Sequence, residues 1–236
     1  FEILLKSRID PRVADYKLLA TPWRLITIIT LYLLFVFKYG PKWMENRKPY
    51  DLKYVVSFYN ACQVLFTCFE LTTGNMDPYL LLLIKFTYFF YITKYLDLLD
   101  TVFFVLRKKG SQKSFLHVYH HTGMLSFCYY GIRFYAATHG TLGVILNSSI
   151  HVIMYTYYFV TSVKLNLKNQ IWWKKKITLL QITQFLLLFI HYSLPLFAKD
   201  CNFPRELCLI GLIQFLFITV LFSDFYYKAY YIKGKK

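Results

Sequence analysis

Long apolar stretches alternate with short polar connections along almost the whole chain. A window of about 19 residues, the length at which a helix crosses the hydrocarbon core of a bilayer, finds these stretches. The seven stretches lie approximately at 25–40, 53–73, 80–106, 115–135, 142–163, 175–197 and 207–230. The pattern predicts an all-α integral membrane protein in which residues 1–236 form a single polytopic domain with seven transmembrane helices.

Lysine and arginine are concentrated in alternate connections. They are numerous between the first and second stretches, the third and fourth, and the fifth and sixth, and scarce in the other connections. Because short positively charged loops resist translocation, this alternation places the C-terminus in the cytosol and the N-terminus in the lumen. We expect the endoplasmic reticulum membrane, although the lysine-rich end at 233–236 resembles a retrieval tail only loosely.

The composition excludes an ordinary soluble enzyme and a disordered chain. Hydrophobic residues make up 57% of the sequence, whereas soluble domains have about 45–50%. Lysine and arginine number 28 against 12 acidic residues, a net charge of +16. These basic residues flank apolar stretches, so topology and anionic membrane lipid explain them, and we expect no nucleic-acid partner. Five cysteines without paired spacing indicate no metal site.

Charged residues interrupt the third apolar stretch on one helical face. Lys94, Asp97 and Asp100 follow one another at intervals of three, and Thr101 is next to them. Two interpretations are equally supported by this spacing. The lysine and the aspartates neutralise each other inside the bundle, or the lysine is oriented to bind a phosphorylated substrate.

Histidine is clustered at the start of the fourth stretch. His120 and His121 lie three and four residues after His117, one helical turn away from it, and three imidazoles in five residues are difficult to explain as packing. The cluster favours metal ligation, proton relay or nucleophilic catalysis.

Polar residues also form stripes on the fifth and sixth stretches. Asn147, His151, Met154, Tyr155 and Tyr158 share one face of the fifth, which predicts that they line a cavity that the histidines share. Hydrogen bonding between helices is the competing explanation. For the sixth stretch, the spacing of Thr178, Gln181 and Gln184 favours packing.

Four sequence boxes resemble, in order, the signatures of one family. Lys94 to Thr101, His117 to His121, Asn147 to Tyr158 and Thr178 to Gln184 are similar to motifs of the ELO family of very-long-chain fatty acid elongases. These condensing enzymes are also called 3-oxoacyl-CoA synthases. One departure is Asp97, where the family usually has glutamate.

The resemblance implies a fold and a reaction. Six of the seven transmembrane helices would form a barrel around a narrow acyl tunnel. Within it, a long-chain acyl-CoA and malonyl-CoA would give 3-oxoacyl-CoA, CoA and carbon dioxide. The CoA thioesters would be substrates, with no tightly bound cofactor and no metal. Contact with the other enzymes of the elongation cycle, and assembly into a homo-oligomer, are left open.

Roles for the catalytic residues follow from this resemblance and from the needs of the chemistry. We expect His120 to attack the thioester and form an acyl-imidazole. His151 and Asn147 would polarise the malonyl thioester or stabilise its enolate, and His117 and His121 would orient groups and exchange protons.

The substrate-binding residues complete the expected site. Lys94 and Lys113 would hold the phosphates of CoA. The remaining binding residues that we expect are Asp97, Asp100, Thr101, Tyr155, Tyr158, Gln181 and Gln184.

Two other functional classes remain. A di-iron membrane desaturase or hydroxylase also carries histidine boxes, but it needs roughly eight histidines, and this chain has six, of which His139 and His191 are isolated. A non-enzymatic seven-span transporter would also line its path with polar stripes. Iron content and covalent acylation distinguish these classes from the elongase.

Overall fold

The computed structural model describes residues 9–74, 80–136, 138–163, 171–198, 201 and 203–232, and in these residues the regular structure is entirely helical. The seven long helices are α1 (Pro22–Met44), α2 (Lys53–Gly74), α3 (Leu80–Leu106), α4 (Phe115–Tyr135), α5 (Thr141–Val163), α6 (Ile171–Phe197) and α7 (Arg205–Ile232). Each end lies within four residues of the predicted apolar stretch. The assignment of residues 1–236 to a single domain remains a prediction.

Local sequence explains where several helices begin. Pro22 occupies the first turn of α1, where a missing N–H is harmless. Ser114 caps α4 by accepting a hydrogen bond from the backbone N–H of His117. Pro204 precedes α7, and its fixed backbone angle suits a helix start.

Three helices in the described part are long and apolar enough to cross a membrane, namely α1, α6 and α7. Their outer surfaces carry large apolar side chains that water would not favour, such as Leu186 and Ile190 on α6 and Ile213 on α7. Such a surface fits a hydrocarbon environment, in which apolar side chains face lipid. The fold is therefore that of a helical membrane protein.

The helices pack in a closed order. α2 packs on α3 and α5, α6 packs on α5 and α7, and α4 packs on α3 and α7. α1 lies beside this ring, against α3 and α4. Fully buried aromatic side chains, among them Tyr91, Tyr129, Tyr155 and Phe185, fill much of the space between the helices. The polar clusters of α3, α4 and α5 consequently meet inside the bundle.

A glycine allows α1 to approach α3 closely. At Gly40, directly after a π-helical turn at Phe35–Tyr39, an added Cβ would lie 2.7 Å from the carbonyl oxygen of Phe35 and 2.8 Å from Val105 Cγ1. Neither contact is a normal van der Waals distance. At Gly131 of α4, by contrast, an added Cβ would meet nothing within 4 Å.

These two glycines form a matched stability test. Gly40→Ala should lower the free energy of unfolding by about 1–3 kcal/mol, because the backbone oxygen and Val105 must move to make room. Gly131→Ala should leave stability unchanged or raise it by up to roughly 1 kcal/mol, since alanine favours helix. Thermal unfolding in detergent compares them, and equal melting temperatures for the two variants would contradict the close packing at Gly40.

The N-terminal segment is attached to the end of α4. The backbone N–H of Asp10 donates to the carbonyl oxygen of Arg133 at 2.9 Å, and the Arg12 guanidinium donates to both the Asp10 carboxylate and the carbonyl oxygen of Ala136. Arg133 in turn donates to the carbonyl oxygen of Leu19. The hydrogen bond from Arg12 holds the pKa of Asp10 below its usual value.

This pKa shift has a defined pH dependence. A carboxyl whose pKa is lowered by folding stabilises the protein above its ordinary pKa of about 3.9, and that stabilisation disappears as protonation begins below it. The wild type should therefore melt at a higher temperature than Asp10→Asn at pH 7, and the gap should close towards pH 3. A gap that stays constant over this range would exclude the ionised Asp10–Arg12 contact as its source.

Candidate active site

A buried ion pair joins α3 to α5. Lys94 Nζ donates to Asp97 Oδ2 at 2.8 Å and to Asn147 Oδ1 at 2.9 Å, and all three residues are at most 5% exposed. On the same carboxylate, Asp97 Oδ2 lies 3.7 Å from His151 Nδ1. The aspartate neutralises the lysine, as one of the two sequence interpretations required, and the lysine fixes the amide of Asn147.

Residues of α2 complete the hydrogen-bonded shell around Asp97. Gln63 Nε2 donates to Asp97 Oδ1 at 2.6 Å and to the Tyr59 hydroxyl at 2.9 Å. The Tyr155 hydroxyl lies 3.2 Å from Asp97 Oδ1 and 2.8 Å from Asp100 Oδ2, so it links the two carboxyl groups. Because an unpaired charge in this interior would be costly, each of these contacts supports the ion pair.

Sequence reasoning did not assign Gln63 or Tyr59 to the site. A signal was present, because Asn60, Gln63 and Thr67 recur at intervals of three and four in the second apolar stretch. All three are at most 6% exposed. The same stripe criterion that selected the α5 residues would have selected this face of α2.

Two histidines of α4 stand side by side against α3 and α1. The His117 and His121 ring centroids are 4.3 Å apart. His117 Nε2 lies 3.0 Å from Thr101 Oγ1, which also accepts a hydrogen bond from the hydroxyl of Tyr32 at 2.6 Å. The Thr101 hydroxyl hydrogen can then point to His117, which makes Nε2 of His117 an acceptor.

His120 differs from its neighbours because its Nε2 atom is buried and has no hydrogen-bond partner among the described residues. Its ring contacts Phe185 and Phe222, with centroids 5.9 and 5.7 Å away. His151 of α5 lies against Asp97 of α3, and His117 of α4 lies against Thr101, one turn further along α3. Imidazoles from α4 and α5 therefore both face α3 inside the bundle.

An apolar cavity starts beside this polar cluster. It contains about 810 Å³ of empty space, its opening included, and its walls come from α3, α4, α5, α6 and α7. Phe90 and Phe185 belong to its wall, and they also contact Lys94 and His120, respectively. From there the cavity extends to Tyr192 and Phe203 near the α4–α5 connection. Reactive groups and an apolar space are thus adjacent.

The other predicted residues lie at different depths. Gln184 is 2% exposed and lines the cavity, and its Nε2 has no hydrogen-bond partner among the described residues. Gln181 Nε2 lies 3.7 Å from the sulfur of Met154. Lys113 Nζ donates to the carbonyl oxygen of Val36, at the opposite end of the bundle from the cavity. Tyr158 is 42% exposed.

Among the described residues, no three side chains of histidine, cysteine, aspartate and glutamate are grouped so that they could hold a metal ion. None of the five cysteines forms a disulfide. The absence of a metal and of a tightly bound cofactor remains a prediction.

The fold and the site together define a helical membrane protein with a buried polar centre next to an apolar cavity. The ELO profile, described as the GNS1/SUR4 family, matches residues 17–236. The chain belongs to this family.

Relatives of known name cover most of the chain. It is 37% identical to very long chain fatty acid elongase 7 of Rattus norvegicus, over 96% of this chain and 87% of the rat protein. It is 39% identical to very long chain fatty acid elongase 4 of Mus musculus, over 94% of this chain and 76% of the mouse protein. It is 36% identical to very long chain fatty acid elongase F of Drosophila melanogaster, over 97% and 96%, respectively.

Two lysine–aspartate pairs in this chain test the importance of the buried one. Lys94→Met should lower the free energy of unfolding by about 3–5 kcal/mol, because it leaves the charge of Asp97 buried and uncompensated. Lys228→Met, which breaks the exposed pair of Lys228 with Asp224, should cost at most about 0.5 kcal/mol. Melting temperatures in one detergent compare them, and equal effects would contradict the isolation of Lys94 from water.

Proposed function

We propose that this protein catalyses the condensing step of very-long-chain fatty acid elongation, with His120 as a covalent nucleophile. The reaction joins a long-chain acyl-CoA to malonyl-CoA and releases CoA and carbon dioxide. Membership of the ELO family and the similarity to named elongases support the activity. The observation that carries the choice of nucleophile is the buried, unpartnered Nε2 of His120, whose ring contacts Phe185 in the wall of the apolar cavity.

An unpartnered polar atom in a buried site requires an explanation, because its burial costs about 1–3 kcal/mol. His117 Nε2 is engaged with Thr101, and His151 Nδ1 faces Asp97. His120 Nε2 has no such partner in the described part of the chain. Its lone pair is therefore available to a thioester carbonyl carbon, with the acyl chain lying past Phe185 in the cavity.

In the first half-reaction, the His120 nitrogen forms a bond to the acyl carbonyl carbon, and the carbon–sulfur bond of the thioester breaks. CoA leaves as a thiolate, and the proton that the acylated imidazole releases is transferred to it through His117 and His121. The acyl group stays on the imidazole with its chain in the cavity. Exclusion of water by the surrounding aromatic residues protects this acyl-imidazole from hydrolysis.

In the second half-reaction, malonyl-CoA loses carbon dioxide and becomes an enolate, whose carbon attacks the acyl carbonyl. The carbon–nitrogen bond breaks, and 3-oxoacyl-CoA leaves while His120 is restored. Asn147 fits a role at the enolate oxygen because Lys94 occupies its Oδ1, which leaves the amide N–H groups as donors. His151 is the second group on this side of the site.

The basic residues of the site have different roles. The ammonium of Lys94 is engaged with Asp97 and Asn147, so its role is to orient the amide and to supply positive charge inside the site. The phosphates of CoA would remain in water at the mouth of the bundle. A groove there is lined by Lys108 and Lys113 together with Met44 and Phe104.

The same proposal includes the membrane arrangement. All seven helices would span the bilayer, and α2 to α7 would form a barrel around the acyl tunnel. The closed order of helix contacts and the cavity inside it support this barrel. The alternation of basic connections supports a cytosolic C-terminus and a lumenal N-terminus in the endoplasmic reticulum membrane. Both CoA substrates would then enter from the cytosol.

Intact-protein mass spectrometry tests the nucleophile directly. Wild-type protein incubated with a long-chain acyl-CoA and no malonyl-CoA should gain one acyl group, and peptide mapping should place it on His120. His120→Ala should gain none and should lose at least about 10³-fold in turnover, because the covalent route is removed. His120→Gln, which keeps a polar side chain of similar size, is the matched control and should also fail.

Three results would contradict this mechanism. An acyl group on a different residue would reassign the nucleophile, and retained turnover in His120→Ala would remove the covalent step. Co-purification of two equivalents of iron, with activity lost on chelation, would indicate a di-iron oxygenase instead. Melting temperatures of both variants should match the wild type, which separates loss of chemistry from loss of fold.

A further inference from the structure

Two histidines outside the reactive centre form a closed pair. His139 lies in the connection between α4 and α5, and His191 lies on α6. Each ring places its Nε2 3.0 Å from the backbone carbonyl oxygen of the other residue. The two rings stack with centroids 3.7 Å apart and planes 7° apart. Because a carbonyl oxygen can only accept, both Nε2 atoms carry hydrogen and donate.

A proline explains why this pair forms. Pro195 lies inside α6, four residues after His191. It has no N–H, so the carbonyl oxygen of His191 cannot make its ordinary hydrogen bond within the helix. The His139 imidazole donates to this released oxygen, and the His191 imidazole donates to a carbonyl oxygen of the loop. We call this arrangement the histidine clasp, because it fastens the α4–α5 connection to α6.

The clasp lies behind the far wall of the apolar cavity. The ring of His139 contacts Tyr192 and Phe203, with centroids 5.2 and 5.1 Å apart, and both of these residues line the cavity. Gly140, next to His139 in the loop, and Thr141, the first residue of α5, line it as well. The wall farthest from His120 is therefore held in place by the clasp.

The other side of this wall is held by α7. An added Cβ at Gly211 would lie 2.6 Å from Cδ1 and 3.0 Å from Cε1 of Tyr192. Tyr192 is 4% exposed and is thus confined between α7, the clasp and the cavity. Any side chain at position 211 must displace the tyrosine ring from α7.

We propose that the histidine clasp sets the depth of the acyl cavity and thereby the longest acyl chain that the protein extends. This inference rests on the proposed function. His139 and His191 act as positioning residues through Tyr192 and Phe203, and they do not touch the reacting atoms. A chain that reaches the fixed wall cannot be placed with its thioester at His120, because packed interiors do not yield easily.

The length of the cavity fits this role. On α4, Met124 and Tyr135 both line the cavity and are 11 residues apart, a distance of roughly 16 Å along a helix. An apolar space of this length limits the alkyl chain that it can hold, because each added methylene must fit between His120 and the far wall. The clasp is the element of the wall that a substitution can remove without touching the site.

Variants that move the wall in opposite directions test this proposal. His139→Ala removes the donor to the His191 carbonyl, so the wall should retreat and the longest product should gain at least one two-carbon unit. Gly211→Ala should push Tyr192 off α7 towards the cavity, so the longest product should become shorter. His139→Gln keeps a side-chain N–H donor and should restore the wild-type product length. Leu194→Ala is the matched control, because Leu194 lies in the same turn of α6 and is 57% exposed.

The measurement is the product distribution from a graded series of acyl-CoA lengths with labelled malonyl-CoA. Unchanged product lengths in His139→Ala, in a variant that melts as a folded protein, would overturn the inference. If Gly211→Ala fails to fold, the comparison of His139→Ala with His139→Gln still decides, and equal product lengths in these two variants would overturn it.

A second readout separates this inference from the proposed function. Native mass spectrometry identifies the longest acyl-CoA that each variant retains, and this does not require turnover. If the wild type condenses its substrates but every variant retains the same longest acyl-CoA, only the proposal about the clasp is overturned. If the wild type binds acyl-CoA but never condenses it, the proposed function is overturned. The longest acyl-CoA retained by His139→Ala and by His139→Gln then still tests the clasp.

Discussion

The ion pair between Lys94 and Asp97 is the contact on which the interior of this protein depends. An isolated charge at this depth would be costly, because both residues are at most 5% exposed. Lys94 therefore binds α3 to α5 through Asn147, while Asp97 binds α3 to α2 through Gln63. Three helices are held together by one neutralised pair, and their polar faces must all turn inwards to complete it.

The polar centre gains its chemical value from what lies next to it. Phe90 and Phe185 separate the charged network from the cavity, and each also forms part of the cavity wall. A thioester head requires a polar environment and a long alkyl tail an apolar one. The boundary formed by Phe90 and Phe185 provides these two environments on its two sides. His120, whose Nε2 has no partner among the described residues, lies on the boundary. The histidine clasp lies at the other end of the same cavity.

Much of the fold was predictable because the bilayer imposes a strong pattern. Every predicted apolar stretch became a helix, and the charged face of α3 and the polar stripe of α5 meet at Asp97, which lies beside both Lys94 and His151. The stripe of Asn60, Gln63 and Thr67 indicates a buried face of α2, but these side chains carry no charge that would identify Asp97 on α3 as the partner of Gln63. Tyr32 of α1 was missed for a different reason. Its partner Thr101 is far away in sequence, so only helix packing brings them together.

The clasp shows the limit of such reasoning most clearly. The position of Pro195 predicts from sequence alone that the carbonyl oxygen of His191 lacks its helical hydrogen-bond partner. The imidazole that fills the gap comes from a connection 52 residues earlier, and its choice depends on how α4, α5 and α6 pack. Local rules identify the released group, but the identity of its partner is a property of the tertiary structure.

The central claim is that one imidazole carries the acyl group while the cavity holds its chain. An experimental structure of the wild-type protein, incubated with a long-chain acyl-CoA in the absence of malonyl-CoA, tests it most directly. We expect continuous density from Nε2 of His120, past Phe185, to the wall formed by Tyr192 and Phe203. Density for the acyl chain along the outer surface of the bundle, or joined to another side chain, would contradict it.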